Sequence, residues 1–159
     1  MVDYKRKVMI FFSMFVLVFC VFGARADVIL QNLDDEFIPF SSLKGKWVFI
    51  NYWAGWCSPC LDEIAQLNRF YEKKSTHVAV FAINYDALSL SKQQKLIKKF
   101  DIRYPSLKQN SVQALHLGRI SVVPITFVFN PQGELATTLY GGQTLKSLNE
   151  AMMLNDVNK

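Results

Sequence analysis

Cys57 and Cys60 stand two residues apart in Trp56-Cys57-Ser58-Pro59-Cys60, shortly after the apolar run Trp47-Val48-Phe49-Ile50-Asn51-Tyr52-Trp53. Thiols at that spacing can close into a small disulfide ring and open again. One of them must ionise for the chemistry to run, because the thiolate is the reactive form. A helix starting here supplies what ionisation needs: unpaired N–H groups in the first turn and the positive end of the helix dipole. A second thiol three residues on can attack a mixed disulfide and release the product. Cys57, nearer the helix start and the surface, is the expected attacking thiol, and Cys60 the resolving one. The same pair could instead ligate zinc or form a purely structural disulfide. A structural zinc site usually takes four ligands, and His77 and His116 have no matching paired spacing. No metal is therefore expected, and no cofactor beyond the cysteines.

Glu63 lies three residues past Cys60, so on a helix it returns to the face near the sulfurs. A partly buried carboxylate with a raised pKa could accept or return the proton of the resolving thiol. The alternative is an ordinary solvated helix glutamate. Pro59 fits the first helical turn, where its missing N–H is harmless. It limits flexibility between the cysteines and tunes the thiolate through local backbone geometry, with Ser58 beside it. Trp56 offers an aromatic contact surface that shields the pair, whereas Trp53 is expected in the core.

These residues need a scaffold. The run 47–53 reads as a strand buried on both faces. A helix is expected from Pro59 to Lys74, with Ile64, Leu67 and Tyr71 on its apolar face. Val78–Asn84 is a second buried strand. Ser91 is expected to cap a helix running to Phe100, with Gln94 at the capping-box position and Leu96, Ile97 and Phe100 facing inward. A short helix over Ser111–Leu117 follows. Ile125–Phe129 and Leu135–Tyr140 are strands joined by the turn Asn130-Pro131-Gln132-Gly133. Thr144 is placed to cap a last helix ending at Leu154. Val28–Leu30 and Phe37–Phe40 form a short leading hairpin. The order predicts an α/β sandwich around a central mixed sheet.

The chain has 159 residues, enough for one domain with its own core. Residues 1–26 read as an export signal: basic Lys5-Arg6-Lys7, apolar Val8–Gly23, then the small-x-small Ala24-Arg25-Ala26. The domain is then 27–159. This almost wholly apolar stretch of sixteen residues falls short of the roughly 20 that span a bilayer, so an uncleaved anchor is the second choice. Phe19 precedes Cys20 where a lipidation site needs a small residue. Lys5, Arg6, Lys7 and Arg25 against Asp3 carry three of the five net positive charges. The small remainder gives no case for nucleic acid, and the lysines at 92, 95, 98 and 99 read as a solvated helix face.

Trp53-Ala54-Gly55-Trp56-Cys57-Ser58-Pro59-Cys60, followed by Val123-Pro124-Ile125-Thr126-Phe127, resembles the thioredoxin superfamily over residues 28–154. The export segment, the leading hairpin, Asn51-Tyr52-Trp53 and the Cys-x-x-Cys-x-x-Glu pattern make it most similar to the exported TlpA/ResA/CcmG-like thiol-disulfide proteins. The resemblance implies a thioredoxin-like fold with an N-terminal hairpin extension. It implies a cis bond before Pro124, with Val123 and Pro124 facing the cysteines as substrate contacts. Thioredoxins proper carry an aspartate where this chain has Asn51, which cannot titrate; either Glu63 or water then handles the proton.

The expected activity is thiol-disulfide exchange on protein substrates in a bacterial periplasm. Such proteins mostly act as reductants, often on apocytochrome c, and are re-reduced by a membrane donor of the DsbD type. A disulfide oxidase or isomerase is the rival within this chemistry. A copper-binding or redox-silent scaffold is the rival outside it. Copper favours soft ligands, and Met152 and Met153 lie far along the chain from the cysteines.

Overall fold

The computed structural model describes residues 27–74, 76–86 and 88–153. The segment read as an export signal, with Cys20, and the expected helix end at Leu154 lie outside them. Among the described residues six strands occur: β1 (Ile29–Gln31), β2 (Phe37–Pro39), β3 (Trp47–Trp53), β4 (Val78–Asn84), β5 (Ile125–Phe129) and β6 (Leu135–Tyr140). Three α-helices accompany them among the same residues: α1 (Ser58–Lys74), α2 (Leu90–Lys99) and α3 (Leu145–Met153). The central sheet has the order β4-β3-β5-β6. β3 pairs parallel to β4 and antiparallel to β5, and β5 pairs antiparallel to β6. The fold is the expected thioredoxin-like α/β arrangement.

Alternation along the strands decides what each face carries. Val48, Ile50 and Tyr52 of β3 join Phe81, Ile83, Ile125 and Phe127 in one core cluster. Phe49 and Trp53 point the other way and join Cys57, Cys60, Ile64, Leu67, Phe70 and Leu148. Asn51 falls between Phe49 and Trp53, so it belongs to the face that α1 covers. Thr126 of β5 is its direct cross-strand partner. A buried polar pair is thereby set into the sheet beneath the cysteine helix.

The α1 stripe repeats at three- and four-residue steps: Cys60, Glu63, Ile64, Leu67 and Phe70 are all buried. Phe70 takes the inward position and packs edge-on against Phe49 at 4.9 Å, while the expected Tyr71 is only partly buried. Glu63 occupies a stripe position normally held by an apolar residue.

The other face is covered by the β1–β2 hairpin and by a 3-10 segment at Gln109–Leu115. The expected helix over 111–117 is therefore tighter and starts earlier. Residues 105–108 tie hairpin to sheet: Ala82 N donates to Pro105 O at 2.9 Å, and Lys108 N donates to Gln31 O at 2.8 Å. The expected cap at Ser91 is corrected. Helix α2 begins at Leu90 with Ser89 as N-cap and no side-chain cap bond. Gln93, not Gln94, folds back, donating from its side chain to Leu88 O at 2.8 Å. Thr144 does cap α3, its Oγ1 accepting from Ser147 N at 3.2 Å.

Candidate active site

Strand β3 ends at Trp53, and Ala54 O accepts the Cys57 N–H at 3.2 Å. That turn delivers Cys57 to the mouth of α1. Cys57 O then accepts from both Cys60 N and Leu61 N at 3.1 Å, opening the helix. The two sulfurs are joined in a disulfide, S–S 2.09 Å, with Cα atoms 5.2 Å apart. Cys60 N also points at Cys57 Sγ from 3.3 Å. A first-turn N–H directed at a sulfur favours that sulfur as a thiolate once the ring is opened. Cys57 retains slight exposure, 5%, and Cys60 has none. The cysteine with any exposure is thus the one at the helix start.

Around this buried ring, Ser58 and Pro59 are exposed, and Trp56 is 66% exposed. The Trp56 indole N–H donates to the Asp86 carboxylate at 3.1–3.2 Å, and its ring meets Tyr85 edge-on at 6.4 Å. Tyr85 and Asp86 also border a groove of about 770 Å³ whose walls include Tyr52, Val112, His116 and Ile120. Burial pushes the Tyr52 phenol up to about 12, so that wall is neutral. The Val123–Pro124 peptide bond is cis, as the resemblance implied. Pro124 is buried and Val123 half-buried.

Glu63 is 2% exposed. Its Oε1 accepts from Asn51 Nδ2 at 2.8 Å, and its Oε2 from the peptide N–H of Gln143 at 2.8 Å. Asn51 Nδ2 reaches Thr126 Oγ1 as well, at 2.9 Å. Burial penalises the carboxylate, while the two donors favour it. Burial wins, and the Glu63 pKa is raised from 4.5 to about 7. A carboxyl poised there exchanges protons near neutral pH. Its charge, after burial, also holds the Tyr104 phenol well above its usual range. Among the described residues, Tyr104 Oη and Asn51 Oδ1 are buried without a hydrogen-bond partner.

Sequence reasoning overlooked two members of this cluster. Thr126 carried a signal, as the hydroxyl-bearing residue in the apolar strand 125–129. Gln143 carried none, because it acts through its main chain. Among the described residues, no group of three or more His, Cys, Asp or Glu could hold a metal ion, and no helix is long and apolar enough to cross a membrane.

A Cys-x-x-Cys disulfide at a helix start, a four-stranded mixed sheet and a leading hairpin define a thioredoxin-like thiol-disulfide oxidoreductase. Residues 23–138 match the AhpC/TSA family, and the chain belongs to it. Over 127 residues it is 29% identical to the thiol-disulfide oxidoreductase ResA of Bacillus subtilis strain 168, covering 79% of this chain and 70% of the relative. The crystal structure of StoA from Bacillus subtilis superposes with a TM-score of 0.65 at 24% identity, over 79% of this chain and 96% of that one. A secreted thiol-disulfide isomerase from Corynebacterium glutamicum gives a TM-score of 0.68 at 26% identity, over 82% and 84%.

Proposed function

We propose that this chain is an exported reductant of protein disulfides, with Cys57 as nucleophile, Cys60 as resolving thiol and Glu63 as their proton partner. The Cys57 thiolate attacks one sulfur of a substrate disulfide. A Cys57–substrate bond forms, and the other substrate sulfur leaves as a thiolate. The Glu63 carboxylate takes the proton of Cys60. The Cys60 thiolate then attacks Cys57 Sγ, closes the ring seen here and expels the second substrate sulfur. Glu63 returns its proton to the departing thiolate. The substrate gains two electrons and the cysteine pair loses them, so a thiol donor must reopen the ring; a DsbD-type membrane carrier fits that need.

The observation that carries the proton role is the carboxyl of Glu63, buried one turn past Cys60 and held near neutrality by burial against two donors. Trp56, Ser58, Pro59 and Val123 form the substrate-facing surface in this reading, with the buried Pro124 setting the backbone of Val123 behind it. An extended protein segment would lie over the ring with Trp56 on one side. Export rests on the basic, apolar and small-x-small pattern of residues 1–26, which would deliver the domain to a periplasm. The substrate class extends to apocytochrome c cysteines, as the resemblance to ResA- and CcmG-like proteins suggests.

The reductant direction is favoured by the span between β4 and β5. It holds α2 and one 3-10 segment, with no room for a large helical insertion of the oxidase kind. The isomerase named in the Corynebacterium glutamicum structure gives the second reading. The reduction potential of the Cys57–Cys60 pair against a dithiol buffer separates the two. A value near the thioredoxin end, about −270 mV, supports the reductant; a value near about −180 mV fits the isomerase, and one near about −120 mV makes the chain a disulfide donor.

A further inference from the structure

The loop between β6 and α3 touches the active-site ring at one point and its proton partner at the next. An ideal Cβ placed on Gly142 would sit 3.3 Å from Pro59 O and 3.9 Å from Pro59 Cβ. The main chain at 142 thus lies against the residue between the two cysteines. The next peptide N–H, that of Gln143, donates to Glu63 Oε2 at 2.8 Å. The Gln143 side chain fastens the loop on both sides. Its Nε2 donates to Gly141 O at 2.7 Å, and its Oε1 accepts from Ser147 Oγ at 2.9 Å.

We propose that Gly142 and Gln143 form a main-chain clamp that positions the Glu63 carboxyl and links it to the Cys57–Cys60 ring. The proposal rests on the reading of Glu63 as proton partner. Gly142 is a positioning residue because a Cβ there would sit tightly against Pro59 O and push the loop back by a few tenths of an ångström. That approach aims the Gln143 N–H at Oε2, and a bond to the charged form lowers the proton affinity of the carboxyl. Asn51 of β3 supplies the other bond. Cys60 one turn back on α1 and Tyr104 beyond α2 are the titratable neighbours. No charged side chain among the described residues contributes to the ionisation of Glu63. A shift of the Pro59 carbonyl when the ring opens would pass through Gly142 to the Gln143 N–H, so the loop ties ring geometry to proton affinity.

The test is the pH at which the reduction potential of the pair changes slope, compared across four variants. Ionisation of the Cys57 thiol bends the same line, so the Glu63 break is the one that Glu63→Gln removes. Gln143→Pro deletes the donor and moves the break upward by about one pH unit, the loss of one hydrogen bond to a charged group. Gly142→Ala moves it in the same direction by less, because the loop must retreat by only a few tenths of an ångström. Gln143→Ala keeps the N–H and shifts the break less than Gln143→Pro. A break that Glu63→Gln removes but that stays put in Gln143→Pro and Gly142→Ala overturns the clamp and leaves the Glu63 reading standing. A potential–pH profile that is the same in Glu63→Gln and the parent overturns both. If Gln143→Pro does not fold, Gly142→Ala decides alone: an upward shift supports the clamp and an unmoved break overturns it.

Discussion

Two polar clusters flank helix α1, and they differ in almost everything but bond length. At the cysteine end, Glu63 is held by Asn51 and by the Gln143 peptide at 2.8 Å, out of contact with solvent. Toward the other end, Arg103 bonds Glu72 at 2.8 Å and Asp101 at 2.7 Å, all three side chains about half exposed or more. The outer cluster has full charges of opposite sign and good geometry, yet water screens it. Exposed pairs of this kind contribute little. The inner cluster has one ionisable carboxyl and no opposite charge, and burial alone moves its proton affinity into the neutral range. Equal distances therefore carry unequal consequences: the environment decides, not the bond length. The outer cluster ties the turn after α2 to α1, helped by Asn68, whose side chain donates to Asp101 O at 2.7 Å and accepts from Arg103 N at 2.9 Å.

The largest effect is expected from turning the inner donor into a second acid. Asn51→Asp sets two carboxyls within hydrogen-bond distance in a dry site. At pH 8 the unfolded chain ionises both, whereas the folded site must keep a shared proton or bury a second charge; denaturant unfolding of the oxidised protein should show a loss of about 3–5 kcal/mol, the scale of an uncompensated buried charge. At pH 5 one proton can be shared and most of the loss should vanish. A variant as stable as the parent at both pH values would mean that water reaches this cluster.

Glu63→Gln comes next. The folded pKa is about 7 against an ordinary 4.5, so between those values the folded protein holds a proton that the unfolded chain has released. Stability from this group is fully present below about 4.5, declines as pH rises, and is gone above about 7. The total amounts to about 3 kcal/mol. Unfolding free energies measured from pH 4 to 8 should slope downward in the parent and lose that component in Glu63→Gln. Parallel curves for the two proteins would place Glu63 in contact with solvent.

The smallest effect belongs to the outer cluster. Arg103→Gln should leave the pH profile of disulfide exchange unchanged and lower the Tm only slightly, by an amount that shrinks in high salt. A large, salt-independent loss would show that the two clusters are more alike than their exposure suggests.

The sequence exposed most of this scaffold and part of the site. Strands β3 to β6 were readable to the residue, because each is an apolar or β-branched run bounded by turn formers such as Asn130-Pro131-Gln132-Gly133. The cysteines and Glu63 followed from spacing on a helix, and the cis bond before Pro124 from resemblance alone. Other features had no local signature. Residues 105–108 owe their extended form to pairing with Ala82 and Gln31, far away in the chain. The start of α2 hung on which of two serines stood at the N-cap, Ser89 with no side-chain bond to mark it, and on which of two glutamines turned back, Gln93 reaching Leu88 O. Gln143 was invisible because its contribution is a peptide N–H, which every residue but proline possesses. What position 143 adds is placement, fixed by the close contact of Gly142 with Pro59.

The most direct test is a carbon-13 NMR titration of the Glu63 carboxyl in the oxidised protein, assigned by its disappearance in Glu63→Gln. A midpoint near pH 7 is expected, the consequence of burial outweighing two hydrogen bonds. A midpoint at the ordinary glutamate value near 4.5 would contradict it and would return Glu63 to the role of a structural side chain beside the disulfide.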